Sequence, residues 1–231
     1  MKFNPEYSLS KTMLTKRKRK IFTYLLTLII GGFVALTIFV ELDPLSSIDR
    51  KFSTKVQSHH TPGRDKIMEA ISWAGYLPNA AMLVAGGIII FLLMKRKREA
   101  LFVFLSGLSG LVSSILKFLV NRPRPQEPLV RVLNIAAEKS FPSGHTIFYT
   151  VFFGFITLLM FRLTDIPKAI RALVAGICLL LILIVPISRI YLGAHWFTDV
   201  LGGGLVGLVC LYILGYYYLK GSKDEKVSVE S

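Results

Sequence analysis

A chain of 231 residues in which 53% of the side chains are hydrophobic is too apolar for an ordinary soluble domain. Its formal charge of +14 invites comparison with nucleic-acid binders. The Lys and Arg residues, however, cluster between long apolar runs and leave no folded polar module, which argues against nucleic acid as a partner.

The first twenty residues end in Lys16, Arg17, Lys18, Arg19 and Lys20, and they are expected on the cytoplasmic side. The run 21–40 carries no charge and has the length, roughly 20 residues, needed to cross a bilayer. It is longer than the core of a signal peptide, and no small-x-small cleavage site follows it, so an uncleaved anchor is expected. Leu45, Ile48, Phe52 and Val56 then recur at helical spacing with Asp49, Arg50, Lys51 and Lys55 between them, which predicts an amphipathic helix at the outer interface. Thr61, Pro62 and Gly63 break it. A second short helix is expected over 65–73, plain connecting structure being the alternative. Further apolar runs follow at 77–94, 100–116, 146–161, 173–187 and 200–219. The expectation is an all-α protein with one domain over 21–219 built from six transmembrane helices. The basic segment 1–20 and a short, polar, disordered tail at 220–231 are both expected to be cytoplasmic, in keeping with the positive-inside rule. Cys178 and Cys210 fall inside apolar runs and read as small buried hydrophobes.

The loops 121–141 and 188–197 are separated by two spans, so they emerge on the same membrane face. Three clusters at these loops carry chemistry: Lys117 with Arg124-Pro125; Pro142-Ser143-Gly144-His145; and Ser188-Arg189 with His195 and Asp199. Lys117 near the end of a span can snorkel to the interface. Alternatively it faces inward on the stripe Ser106, Gly110, Ser113, Ser114, Lys117, and an inward lysine wants an anion. Arg124 and Arg189 offer planar forks for phosphate oxygens. His145 opens a helix whose N-terminal N–H groups favour an anion. If the helix has begun by residue 195, His195 and Asp199 share one face, and the carboxylate would fix the imidazole tautomer. Half of a metal site is the alternative, but no convincing further ligands accompany the pair. His59 and His60 read as surface residues.

Taken together, the three clusters resemble the signature of the type 2 phosphatidic acid phosphatase superfamily: a lysine and Arg-Pro pair, Pro-Ser-Gly-His, and Ser-Arg followed by His and Asp. The resemblance spans 117–199 and implies a metal-independent phosphatase without a cofactor. It implies that His195 is a nucleophile oriented by Asp199, and that His145 is the acid for the leaving group and then the base for water. Lys117, Arg124, Ser143, Gly144 and Arg189 become the phosphate cage. Arg122 forms a second Arg-Pro pair, and the spacing selects Arg124 in its place. The lipid-acting members imply a site at the outer face of the plasma membrane, and the basic N-terminus and short loops read as bacterial. The substrate would be a lipid phosphate such as undecaprenyl pyrophosphate, phosphatidylglycerol phosphate or phosphatidic acid. A transporter or binding protein for a phosphorylated solute is the rival class, but it calls for polar residues deep in several spans, and the middles here are almost wholly apolar. Nothing in the pattern addresses oligomeric state.

Overall fold

The computed structural model describes residues 5–134 and 139–229, with side chains given between 20 and 221. Lys2 and part of the 121–141 loop fall outside the described residues, as do the side chains of the basic positions 11–19, 223 and 226. The described residues form helices and no strand: α1 (Pro5–Leu42), α2 (Ser47–Gln57), α3 (Pro62–Ser72), α4 (Leu77–Leu93), α5 (Lys97–Gly107), α6 (Ser109–Leu119), α7 (Gly144–Arg162), α8 (Lys168–Tyr191) and α9 (Phe197–Val229). A one-turn 3-10 helix, Trp73–Gly75, joins α3 to α4. Continuous helix runs through both the basic N-terminal segment from Pro5 and the polar tail as far as Val229.

Capping residues set several of these starts. The Ser46 hydroxyl accepts the Asp49 N–H at the head of α2. Thr61 does the same for Arg64 ahead of α3, where Pro62 occupies the first helical position.

Five segments are long and apolar enough to cross a membrane: Lys20–Leu42, Lys97–Leu119, Gly144–Arg162, Lys168–Tyr191 and Phe197–Gly221. The expected second span is the outlier. As α4 it has 17 residues, about 25 Å of rise against a hydrocarbon core of about 30 Å. It reaches spanning length only together with α3, across a bend of 57°. The expected third span is one segment in two helices, α5 and α6, that part at Leu108. Ser106, Gly107, Ser109 and Gly110 flank the break, and such residues support a helix poorly.

The helix at the centre is α7, in which every residue from 146 to 155 is buried. Phe148, Phe152, Phe155 and Leu159 pack with Val103 of α5, Cys178 and Val185 of α8 and Tyr218 of α9. By contrast, only 6% of the best apolar window of α1 is buried, so its side chains face outward as a lipid-exposed helix requires.

The short helix α2 is inverted relative to one on a soluble protein. Its polar residues Asp49, Ser53 and Gln57 are buried against the bundle, while Ile48 and Phe52 are exposed. Phe52 stacks on Phe197 with ring centroids 4.1 Å apart. An interfacial helix can adopt this orientation because its apolar face meets lipid while its polar face meets protein.

The contact between α7 and α9 depends on small residues. A Cβ at Gly203 would lie 2.7 Å from the Ser143 carbonyl oxygen, a backbone atom that cannot swing aside, whereas one at Gly204 meets nothing within 4 Å. Gly203→Ala is therefore expected to destabilise the protein by about 1–3 kcal/mol and Gly204→Ala to leave it unchanged. Thermal unfolding of both variants in the same detergent checks this, and equal melting temperatures would contradict the packing described.

Candidate active site

Three connections meet at one end of the bundle: the segment following α6 that leads to Ser143, the turn from Leu192 to Trp196 between α8 and α9, and the elbow at Trp73–Tyr76. Several hydrogen bonds lock them together. Gln57 of α2 donates to the carbonyls of Arg131 (2.8 Å) and Tyr191 (3.0 Å) and accepts the Arg131 N–H at 3.1 Å. Arg131 grips Asp65 of α3 with both guanidinium nitrogens, at 3.0 and 2.7 Å. Gly193 adopts φ +63°, and a Cβ there would lie 2.1 Å from the Arg131 carbonyl oxygen. Only glycine permits that turn at that approach.

These connections cover a cavity of about 650 Å³ with two unlike ends. Lys117, Arg124, Asn134, Gly144, His145, Arg189 and His195 line one end, with Tyr76 beside them. Leu77, Ala80, Val84 and Ile88 of α4, facing Phe104, Gly107 and Leu108, line the other. On α6, Gly110, Ser113, Ser114 and Lys117 all reach the cavity, so the inward reading of the lysine is the one observed. Ser106, from the same predicted stripe, is buried elsewhere and bonds the Val103 carbonyl.

His195 is 2% exposed. Its Nε2 faces Arg124 Nη1 at 3.4 Å, and that nitrogen also donates to the Ala194 carbonyl at 2.7 Å. Burial, followed by the charges of Arg124, Arg189 and Lys117, holds the His195 pKa well below the ordinary imidazole value. The ring is therefore neutral at physiological pH, with a lone pair available.

Its Nδ1 lies 3.5 Å from Asp199 Oδ2, outside good hydrogen-bond geometry. The pair does not meet on a helix face, because α9 begins only at Phe197. Instead Oδ2 of Asp199, the third residue of α9, reaches back to the Trp196 N–H at 2.8 Å, half of a capping box. The turn carrying His195 is drawn in by that cap. Ser140 also donates to Oδ2.

His145 enters the cavity from the first turn of α7, where Gly144 and His145 precede the first intrahelical bond, Ile147 N–H to Ser143. Its Nε2 is buried without a hydrogen-bond partner among the described residues. Tyr76 meets the ring edge-on with centroids 4.9 Å apart. The Tyr76 hydroxyl accepts from Arg189 Nη1 at 3.3 Å and also bonds Asn134. Arg189 is 2% exposed, and its Nε has no hydrogen-bond partner among the described residues.

Ser143 departs from its expected place in the phosphate cage. It is fully buried and is absent from the cavity wall. Its hydroxyl accepts from the Thr146 N–H (3.4 Å) and hydroxyl (3.0 Å), and its own N–H donates to the Asp199 carbonyl at 3.0 Å. A serine at the N-cap spends its oxygen on the helix.

Several contacts escaped the sequence reading. Tyr76 and Asn134 fall outside the three clusters. Arg122, passed over on spacing, is buried and donates to Asp199 Oδ1 (2.6 Å), Thr198 Oγ1 (2.6 Å) and Asp49 Oδ2 (2.6 Å). The Ser46–Asp49 capping pair and the i, i+4 stripe Asp49, Ser53, Gln57 were the available signals for α2.

Comparison with known proteins agrees with this geometry. The model of the PAP2 superfamily matches residues 98–223. Phosphatidylglycerophosphatase B of Bacillus subtilis (strain 168) is 28% identical over 200 residues, which is 84% of this chain and 92% of that protein. The undecaprenyl-diphosphatase BcrC of the same organism is 31% identical over 170 residues, 71% of this chain and 78% of that protein. The crystal structure of a transmembrane PAP2-type phosphatidylglycerolphosphate phosphatase from Bacillus subtilis superimposes with a TM-score of 0.76 at 25% identity, covering 85% of this chain and 97% of the other. The family match takes in every cationic and histidine side chain around the polar end of the cavity, and the chain belongs to the PAP2 superfamily of phosphatases.

Proposed function

We propose that this protein is a membrane lipid phosphatase that releases phosphate from a lipid phosphate or diphosphate at the outer face of the membrane, through a phosphohistidine intermediate. The observation that carries the proposal is the two-ended cavity, with cations and two imidazoles at one end and a wall of aliphatic side chains at the other. A phosphorylated headgroup on a hydrocarbon chain has the same polarity pattern. Undecaprenyl pyrophosphate and phosphatidylglycerol phosphate are the favoured substrates, in line with the names of the relatives. Phosphatidic acid fits the same description.

In this reading Lys117, Arg124 and Arg189, with the N–H groups at the head of α7, hold the phosphoryl oxygens and stabilise the charge that builds on them. Ser143 serves as the cap that fixes Gly144 and His145. The neutral His195 attacks phosphorus through Nε2, and Asp199 balances the positive charge that appears on the ring. The bond to the lipid oxygen breaks as His145, which holds a proton once the bound phosphate offsets the surrounding cations, gives that proton to the lipid oxygen. His145, now neutral, takes a proton from water, the hydroxide attacks the phosphohistidine, and phosphate leaves with His195 restored. Counting α4 as the second of six spans, with both ends of the chain cytoplasmic, this reading puts the site outside. The many Lys and Arg residues at the opposite ends of the spans support that orientation.

His195→Ala is expected to lower kcat by at least about 1,000-fold, because no second nucleophile replaces the imidazole. Phosphate release by the purified variant measures this, and near-normal turnover would reject the nucleophile. Turnover is expected to survive EDTA and to be inhibited by vanadate, which mimics five-coordinate phosphorus; activity lost in EDTA and restored by a divalent ion would replace this chemistry with metal catalysis. Specificity constants for the three lipid phosphates, measured side by side, identify the substrate.

A further inference from the structure

Behind His195 lies a buried ionic chain that the reaction as written does not use. Asp199 already has neutral donors at Oδ2, the Ser140 hydroxyl and the Trp196 N–H. Arg122 nevertheless donates to the other oxygen, Oδ1, at 2.6 Å. The same guanidinium donates to Asp49 Oδ2 at 2.6 Å, and to the Pro44 carbonyl from Nε (3.1 Å) and Nη2 (3.0 Å). Thr198 adds a second link between Arg122 and Asp49. Its hydroxyl accepts from Arg122 and donates to Asp49, and its N–H donates to Asp49 Oδ1 at 2.9 Å. Arg122 is 2% exposed, and Asp49 and Asp199 are fully buried.

Placing two carboxylates and a guanidinium out of water is expensive, and neutral groups of similar volume often serve stability as well or better. The charges therefore call for another explanation, which a sign count provides. As the His195 imidazole attacks phosphorus it becomes cationic, and Lys117, Arg124 and Arg189 already stand around it. Asp199 must supply the opposing charge. Arg122, bound to Asp199 alone, would cancel it. With Asp49 bound to Arg122, the three groups carry one net negative charge.

We propose that Asp49 and Arg122 are positioning residues for the reaction: Arg122 fixes the carboxylate of Asp199 behind His195, and Asp49 neutralises Arg122 so that Asp199 keeps its full charge towards the nucleophile. Neither residue lines the cavity. Their effect therefore falls on the chemical step and leaves substrate binding alone. The inference rests on the phosphohistidine reading above.

The test is a double-mutant cycle on full-length protein in detergent, with kcat and KM measured on a lipid phosphate and folding followed by gel filtration and thermal unfolding. Asp49→Asn leaves Asp199 facing an uncompensated arginine, and kcat is expected to fall about 10- to 100-fold with KM changed less than about threefold. Adding Arg122→Gln restores one net negative charge, so the double variant is expected to exceed Asp49→Asn in kcat by about fivefold or more. A network that only holds the fold gives the opposite sign, because removing a second member adds to the damage. A double variant no faster than Asp49→Asn, or an Asp49→Asn variant with unchanged kcat per folded molecule, overturns the proposal. If Asp49→Asn does not fold, the double variant carries the test alone: kcat within about 30-fold of the parent upholds the proposal, and a greater loss overturns it. His195→Ala run alongside separates the two levels. Activity surviving in that variant removes the phosphohistidine reading itself, whereas a silent His195→Ala beside an additive cycle removes only the role of Asp49 and Arg122.

Discussion

The Arg122 guanidinium, held between Asp49 and Asp199, ties together three parts of the chain at one buried point. It belongs to the segment after α6, Asp49 to α2, and Asp199 to the first turn of α9. Taking away one partner of a buried ion pair of this kind typically costs about 3–5 kcal/mol, more than a surface ion pair returns. The constraint runs outward from there. Arg122 and Thr198 offer donors only where α2 turns its polar side inward, so Asp49 and Gln57 face protein and Ile48 and Phe52 face outward. The helix that reads as floating at an interface is packed against the turn behind His195.

The bilayer explains why the polar groups crowd at one end. Hydrocarbon offers no partner for an unpaired N–H or charge, so a membrane bundle gathers such groups where its helices end and fills its middle with aromatic and aliphatic side chains. Here α7 does both jobs. From 146 to 155 it is buried within the bundle, while its first turn opens onto the cavity with His145. Close contact with α9 at Gly203 brings Ser143 within bonding distance of the Asp199 carbonyl, so the packing of two spans and the relation between the two histidines are set by the same crossing.

Much of the site could be read from the chain because its residues stand at the ends of apolar runs, where parity decides which meet. Lys117, Arg124, Gly144, His145, Arg189 and His195 are far apart in sequence and share one cavity. What stayed hidden depends on which way a side chain turns. Asp49, Ser53 and Gln57 form a polar stripe that is indistinguishable by pattern from a solvated face. Ser143 and Gly144 are adjacent in the motif, yet one caps α7 and the other lines the cavity. Arg122 and Arg124 each precede a proline, and their division of labour follows from contacts with residues 70 or more positions away. The second span was hard to read for a related reason. Composition registers an apolar run at 77–94, but the Gly75–Pro78 elbow divides that part of the chain into two helices at an angle, and only geometry records the angle.

That elbow also bears on how the proposed acid is held. Among the described residues His145 has no hydrogen-bond partner at Nε2, and the ring is confined by the shape of its surroundings. A Cβ at residue 75 would lie 2.3 Å from the imidazole, and the Tyr76 ring closes on it edge-first at 4.9 Å. The same tyrosine bonds Arg189 and Asn134 through its hydroxyl. One residue at the joint between α3 and α4 therefore touches the proposed acid, a proposed phosphate ligand and the loop that covers them. Because α4 also supplies much of the aliphatic wall, the joint that carries Gly75 and Tyr76 stands between the polar end of the cavity and the helix that lines its apolar end.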